Sequence, residues 1–273
     1  MALPWGRRFL LCPPEHFQVL YEINPWMHAE VAVDPERARA QWEAFAQTLR
    51  DAGATLDTLT PQPDLPDMVF TANAGVVNGT RFVPSRFRHP QRQAETPHYM
   101  AWFAAQGYDV RPLPDGLSHE GAGDALPFGG GFVSGYRFRS DAAAHVELSR
   151  LLGAPVHPVE LTDSRFYHFD LTFCPLDGRR ALAAPHAWDS YGRKVIAAAV
   201  AEPFELDADE TASFCANSIV VGTAIVMPAC PPRVGRQLEA WGFDVAVVDV
   251  SEFLKAGGAC RCLTLALDVS VPA

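Results

Sequence analysis

The chain has 273 residues, 22 Lys and Arg against 32 Asp and Glu, a formal net charge of −10 and 48% hydrophobic residues. The acidic balance excludes the basic face that nucleic acid or an anionic membrane requires, and the apolar content excludes general disorder. It leaves room for a cationic ligand, which a negative field attracts.

In chain order, a first strand is expected within Phe9–Val19. Asp34-Pro35 then supplies an N-cap and a proline at the first helical position. Ala38, Trp42, Phe45 and Leu49 recur at helical spacing, and Gly53 sits where a left-handed C-cap would close the helix before a strand in Leu49–Leu59. Asn73–Pro84 reads as a hairpin around Asn78-Gly79. Thr96-Pro97 opens a helix through Trp102 and Phe103, closed by Gly107 within Phe103–Leu113. Phe132–Phe138 reads as a second hairpin, and Leu151–Leu161 repeats the helix, glycine, strand order at Gly153. Leu171–Ala183 is a third hairpin, turning at Asp177-Gly178, and Ala198–Leu206 is a copy of the helix end without its glycine. Asn217–Pro228 is a fourth hairpin. Pro231-Pro232 opens a helix through Val234, Leu238 and Trp241, with Gly242 before a strand in Leu238–Val248. A last strand is expected over Leu263–Leu267.

The order hairpin, helix, glycine, strand thus recurs with a period near 50 residues, about five times if the chain ends (Phe9–Val19 and Leu263–Val271) share one unit. Units of this size cannot bury their own faces, so a ring with strands inside and helices outside is expected, as one domain over 1–273. Val195–Ala201 is far shorter than the roughly 20 residues of a membrane span, and Met1–Cys12 lacks a signal-peptide core and cleavage site. Cys12, Cys174, Cys215, Cys230, Cys260 and Cys262 form no small-disulfide framework, so reduced thiols and a cytoplasmic location are expected.

Polar clusters stand at equivalent places in the units: Asp67–Asn73, His119–Asp124, His168–Asp170, Cys215–Asn217 and Gly257–Cys262. A ring would bring them to one mouth. Singly, each residue has an ordinary reading. Glu120 or Asp124 would be a turn acid, His168 a structural histidine, Arg92 and Arg139 surface charges, and Asn24 and Asn73 turn residues. Cys260 and Cys262 flank Arg261 without a second pair at zinc spacing, so no metal is expected. Cys262 follows Gly257-Gly258 and precedes the last strand, the setting of an exposed thiol.

Six stretches in this order, PDMVFTAN (66–73), HEGAGDAL (119–126), GYRFRSD (135–141), YHFD (167–170), ANSIVVG with MP (216–222, 227–228) and SEFLKAGGACRCLTL (251–265), resemble the guanidino-group-modifying enzymes of the pentein fold. The resemblance spans essentially the whole chain. It implies an α/β-propeller of five ββαβ-type units in a pseudo-fivefold ring, a single catalytic domain, no cofactor, and a small guanidino substrate, arginine or methylarginine. A homo-oligomer would be in keeping with the family. It implies Cys262 as nucleophile, His168 as general acid and base, and Glu120 as the acid of an E-G-G-D type motif that here reads E-G-A-G-D, which leaves Asp124 as a rival. Asp170 would grip the guanidinium. Arg139 would bind an α-carboxylate together with Arg92 or Arg88, and Asp67 and Asp124 would add to the substrate site. YEINPWM (21–27) and TAN (71–73) resemble arginine dihydrolases, in which asparagines matching Asn24 and Asn73 are linked to a second hydrolysis that yields ornithine, carbon dioxide and ammonia. Dimethylargininases, arginine deiminases, amidinotransferases and a non-catalytic arginine binder are the alternatives. Asn24-Pro25-Trp26 is the candidate mobile loop.

Overall fold

The computed structural model describes residues 5–272. In chain order the elements begin with β1 (Arg8–Leu11), α1 (Pro35–Asp51), β2 (Thr55–Thr58), β3 (Gly75–Asn78), β4 (Arg81–Pro84), α2 (Pro90–Gln93), α3 (Thr96–Ala105) and β5 (Asp109–Val110). They continue with β6 (Ala125–Phe128), β7 (Gly131–Tyr136), α4 (Ala144–Leu152), β8 (Val156–Glu160), β9 (Phe173–Pro175), β10 (Arg180–Ala183), α5 (Ser190–Ala199) and β11 (Glu202–Glu205). The chain closes with α6 (Ala208–Ala212), β12 (Ile219–Val221), β13 (Ala224–Met227), α7 (Pro232–Ala240), β14 (Asp244–Val247), α8 (Ser251–Leu254) and β15 (Leu265–Ala266).

Five three-stranded sheets result, in the orders β15-β1-β2, β3-β4-β5, β6-β7-β8, β9-β10-β11 and β12-β13-β14. In each, the first strand is antiparallel to the middle strand and the third runs parallel to it. The chain ends therefore share one blade, Phe9 facing Ala266 and Leu10 facing Leu265. Four of the inner strands, β3, β6, β9 and β12, are buried at every residue, as strands covered on both faces must be. The longer helices pack on the middle and outer strands, α1 on β2, α3 on β4 and β5, α4 on β4 and β8, α5 on β8 and α7 on β14.

The capping residues act as their chemistry dictates. Asp34 Oδ1 accepts the Glu36 and Arg37 amides at 3.0 and 3.1 Å, with Pro35 at the head of α1. Gly53, Gly107, Gly153 and Gly242 all end helices at positive φ, 91°, 83°, 67° and 82°.

Three local expectations are corrected. Phe132–Phe138 is not a hairpin: β7 runs unbroken and the turn lies at Gly129-Gly130, φ 64° and 79°. Gly135, inside that span, is a close approach, since a Cβ there would lie 2.7 Å from the Phe169 Cβ. The first strand ends at Leu11, before Pro13-Pro14, which has no amide hydrogen to offer a ladder. The last strand shortens to Leu265–Ala266, so Cys262 sits in a turn. Among the described residues, no helix is long and apolar enough to cross a membrane.

Candidate active site

The polar clusters occupy the turns that lead into the inner strands, and in the ring they meet. A narrow cavity of about 10 Å³, the space of about one water molecule, is lined by Cys262, His168, Asn73, Asn24, Asp67, Arg92 and Arg139 among others. Glu120, Asp170 and Asp124 are buried but do not line it. Glycine makes the convergence tight. A Cβ on Gly121, at φ 69°, would lie 2.7 Å from the Ala72 carbonyl oxygen, and one on Gly123 would strike Asn73 Nδ2.

One wall carries the thiol. Cys262 is buried at 4% exposure, not exposed as its Gly-Gly context suggested. Its Sγ donates to Asp170 Oδ2 at 3.5 Å and accepts from Asn217 Nδ2 at 3.2 Å. Asn217 Oδ1 gathers three amides of the loop, Ala259, Arg261 and Cys262, at 3.1–3.2 Å, while Nδ2 also reaches the Asp170 carbonyl at 3.3 Å. Burial and then the Asp170 carboxylate push the Cys262 thiol well above its usual range. Burial likewise lifts Asp170 to about 7, opposed by Arg261. Asp170 Oδ1 is buried with no partner among the described residues.

The opposite wall is saturated. Glu120 Oε2 takes His168 Nε2 at 2.9 Å and Arg139 Nη1 at 2.8 Å. Burial would raise the Glu120 carboxyl, but Arg139 and His168 outweigh it and hold it below the usual range. An ionised carboxylate only accepts, so Nε2 carries the His168 proton and Nδ1 the lone pair. Burial pushes His168 down to about 4, against the pull of Glu120. Arg139 also donates to the Ile23 carbonyl at 2.8 Å and lies 4.6 Å from the Tyr167 ring centre.

Asp124, expected at the substrate site, does not line the cavity. It accepts from Ser140 Oγ at 2.5 Å and from the Phe169 amide at 3.1 Å, and Ser140 Oγ in turn accepts the Glu120 amide at 3.0 Å. It thereby fixes the turns carrying Glu120 and His168. Between the two arginines, Arg92 lines the cavity, whereas Arg88 pairs with Asp141 away from it. The Arg92 fork is already engaged: Nε and Nη2 chelate Glu95 at 2.7 and 2.9 Å, Nη2 also reaches the Asp67 carbonyl, and Nη1 donates to Asn73 Oδ1 at 2.9 Å. Asn73 Nδ2 donates to the Glu120 carbonyl at 2.9 Å. Asp67 Oδ2 accepts from Tyr21 Oη at 3.0 Å, while Oδ1 has no partner among the described residues.

Asn24 belongs to the loop that covers the cavity. Its Nδ2 donates to the Ala256 carbonyl at 3.0 Å and its Oδ1 accepts the Trp26 amide at 2.9 Å, with Trp26 Nε1 tied to the Arg165 carbonyl at 2.6 Å. Of the described residues, Glu22, His28 and Glu30 place ligand-type atoms close enough for a metal, but all are exposed and none lines the cavity.

Sequence reasoning placed Asn217 only within the Cys215–Asn217 cluster expected at the mouth, and gave Glu95 and Tyr21 no role. Asn217 carried a signal: Ala216-Asn217 repeats Ala72-Asn73 three hairpins later, and both carboxamides donate to the backbone carbonyl of an acid, Asp170 and Glu120.

Comparison with known proteins places this arrangement. No protein-family model matches the chain. It is 38% identical over 262 residues to the N(G),N(G)-dimethylarginine dimethylaminohydrolase of Mycobacterium tuberculosis, covering 96% of this chain and 86% of that protein. The chain belongs to the guanidino-group-modifying pentein family. Within that family it is 42% identical over 263 residues to the bifunctional arginine dihydrolase/ornithine cyclodeaminase AgrE of Nostoc, covering 94% of this chain and 37% of the relative, so it spans about a third of that protein's length. The structure of the N-terminal domain of ArgZ, a cyanobacterial arginine dihydrolase, bound to substrate superposes with TM-score 0.93 at 39% identity, covering 98% of this chain and all of that one. The five-bladed ring is thus the pentein propeller.

Proposed function

We propose that this pentein hydrolyses the guanidino group of L-arginine to ornithine, carbon dioxide and two ammonia molecules, consuming two waters. The observation that carries the reading is Asp170: a buried carboxylate beside the Cys262 thiol, with one oxygen left without a partner. A planar cation is what satisfies it. The family supports the chemistry, and Asn24 and Asn73, both at the cavity, support the dihydrolase outcome.

On this reading, a guanidinium on Asp170 lowers the Cys262 pKa by opposing the two factors that raise it. The thiol passes its proton to His168 Nδ1 and sulfur bonds to the guanidinium carbon. His168 returns the proton to the departing nitrogen, the C–N bond breaks, and ammonia leaves an S-alkylthiouronium on Cys262. Water, deprotonated by His168, adds to the same carbon and the C–S bond breaks, freeing the thiol and a ureido compound. A second round at that carbon expels the second ammonia, and the carbamate formed loses carbon dioxide. Glu120 holds His168 in one tautomer and stays ionised through Arg139. Arg139 and the remaining Arg92 N–H receive the α-carboxylate, and Asp67 Oδ1 the α-ammonium. Arginine exceeds a cavity of about 10 Å³, so the 23–27 loop opens to admit it.

The reading takes residues 1–273 as one catalytic domain in the cytoplasm, supported by the chain ends sharing a blade and by the free cysteines among the described residues. Incubation with L-arginine tests the product: ornithine with two ammonia per arginine is expected, and citrulline as the end product would overturn it. Dimethylargininase activity is the second reading, favoured by the whole-length match to the mycobacterial relative, and dimethylamine release from methylated arginine would establish it.

A further inference from the structure

Directly before the nucleophile stands Arg261, 6% exposed. Its side chain lines a second cavity enclosed by the inner strands, while its charge is still felt by Asp170. That cavity measures about 20 Å³ and is lined from β1, β3, β6, β7, β12 and β15, with Trp5, Phe9, Phe132, Ile219 and Leu265 among its walls. Apart from Arg261 and Thr264, the lining is apolar and holds no acid. The Thr264 hydroxyl proton is directed at the Arg261 carbonyl at 3.1 Å.

The other two buried arginines each meet a carboxylate within hydrogen-bond distance, Arg92 at Glu95 and Arg139 at Glu120. Arg261 does not. Its Nη1 is buried with no acceptor among the described residues, and its guanidinium carbon lies 5.4 Å from the Trp5 ring centre. A buried guanidinium without a counter-charge is costly. Burial accordingly lowers the Arg261 pKa, with Cys174 and Asp170 opposing.

We propose that this second cavity binds one small monovalent anion of halide size, chloride being the physiological case, on the Arg261 guanidinium. One positive charge calls for one negative charge. A volume of about 20 Å³ holds about one water-sized body. The apolar walls reward an ion that sheds its water readily over a strongly hydrated oxyanion. Because the Arg261 and Cys262 amides share Asn217 Oδ1, the anion completes the core behind the nucleophile loop. The inference is independent of which guanidine is hydrolysed.

Wild-type crystals soaked in sodium bromide test it. An anomalous bromine peak within hydrogen-bond reach of Arg261 Nη1 is expected, lost in Arg261→Met. A second measurement needs no variant. With ionic strength held constant, exchanging gluconate for chloride should raise the wild-type Tm saturably. At chloride ten times its Kd, the folded-to-unfolded ratio rises about elevenfold. A second cavity without bromine signal overturns the proposal, and so does a Tm that is the same in both salts.

Discussion

The two walls of the catalytic cavity are built on opposite principles. On the His168 wall the charges around the imidazole have fixed partners, Glu120 with Arg139 and His168 and Arg92 with Glu95, and it is Asp67 Oδ1 that is left without one among the described residues. On the Cys262 wall there is no ion pair. A thiol and a carboxylate face each other at 3.5 Å, both pushed toward their neutral forms, with Asp170 Oδ1 unpartnered. The first wall is preorganised and pays its desolvation cost internally. The second holds an unpartnered carboxylate oxygen, so under the proposed function the arrival of a cationic substrate would itself switch on Cys262.

The largest expected effect breaks the second wall outright. Cys262→Ser should lower turnover of arginine by about 10⁴-fold or more, with binding still seen calorimetrically, because the proposed grip is that of Asp170, Asp67 and Arg139. Turnover near wild type would remove Cys262 from the mechanism.

Asp170→Asn sharpens the comparison, since it keeps the shape and deletes the charge. Losing a hydrogen bond to a charged group, about 1.5–3 kcal/mol, should lower kcat/KM for arginine roughly 10- to 150-fold. In the free protein the thiol should ionise more easily, because a charge that raises its pKa is gone. The pH profile of Cys262 alkylation should therefore move to lower pH. Stability gives a separate sign. Asp170 titrates near 7 when folded and near about 3.9 when unfolded. Between these values the folded chain holds the extra proton, so this group costs stability as pH rises. Urea melts should show Asp170→Asn gaining on wild type by up to about 1.4 kcal/mol per pH unit over that window. Parallel curves would mean that Asp170 is ionised throughout.

Asn217→Ala tests what holds the second wall in place. The Ala259 and Cys262 amides lose their acceptor, while the Arg261 amide keeps the Asn217 backbone carbonyl at 3.1 Å, and each buried orphan costs about 1–3 kcal/mol, less whatever relaxation recovers. A loss of about 2–5 kcal/mol in urea melts, with kcat falling more than KM rises, is expected; an unaltered midpoint would contradict the scaffold role. The smallest effect is remote from both walls. Asp34→Ala should cost about 1 kcal/mol through the lost cap of α1, with kcat unchanged.

What the sequence revealed follows the range of the forces involved. Caps, positive-φ glycines and the Asn78-Gly79 turn are local, so Asp34-Pro35 and Gly153 mark element ends unaided. The ring followed from repetition. Phe132–Phe138 was misread as a hairpin because a close backbone approach and a turn both call for glycine, and Phe169, packed against Gly135, tells them apart. Glu120 and Asp124 were indistinguishable in E-G-A-G-D. They separate through Arg139 and Ser140, which lie 19 and 16 residues further along the chain. Cys262 was expected at the surface because Gly-Gly turns usually lie there; the 23–27 loop covering the cavity hides it.

The account turns on a bond between Cys262 and the guanidinium carbon. Mass spectrometry of the acid-quenched protein during turnover of arginine tests this most directly. The account predicts a mass increase equal to arginine less one ammonia, on the peptide carrying Cys262 and gone in Cys262→Ser. An adduct on Cys260, or turnover with no covalent species at any quench time, would contradict it.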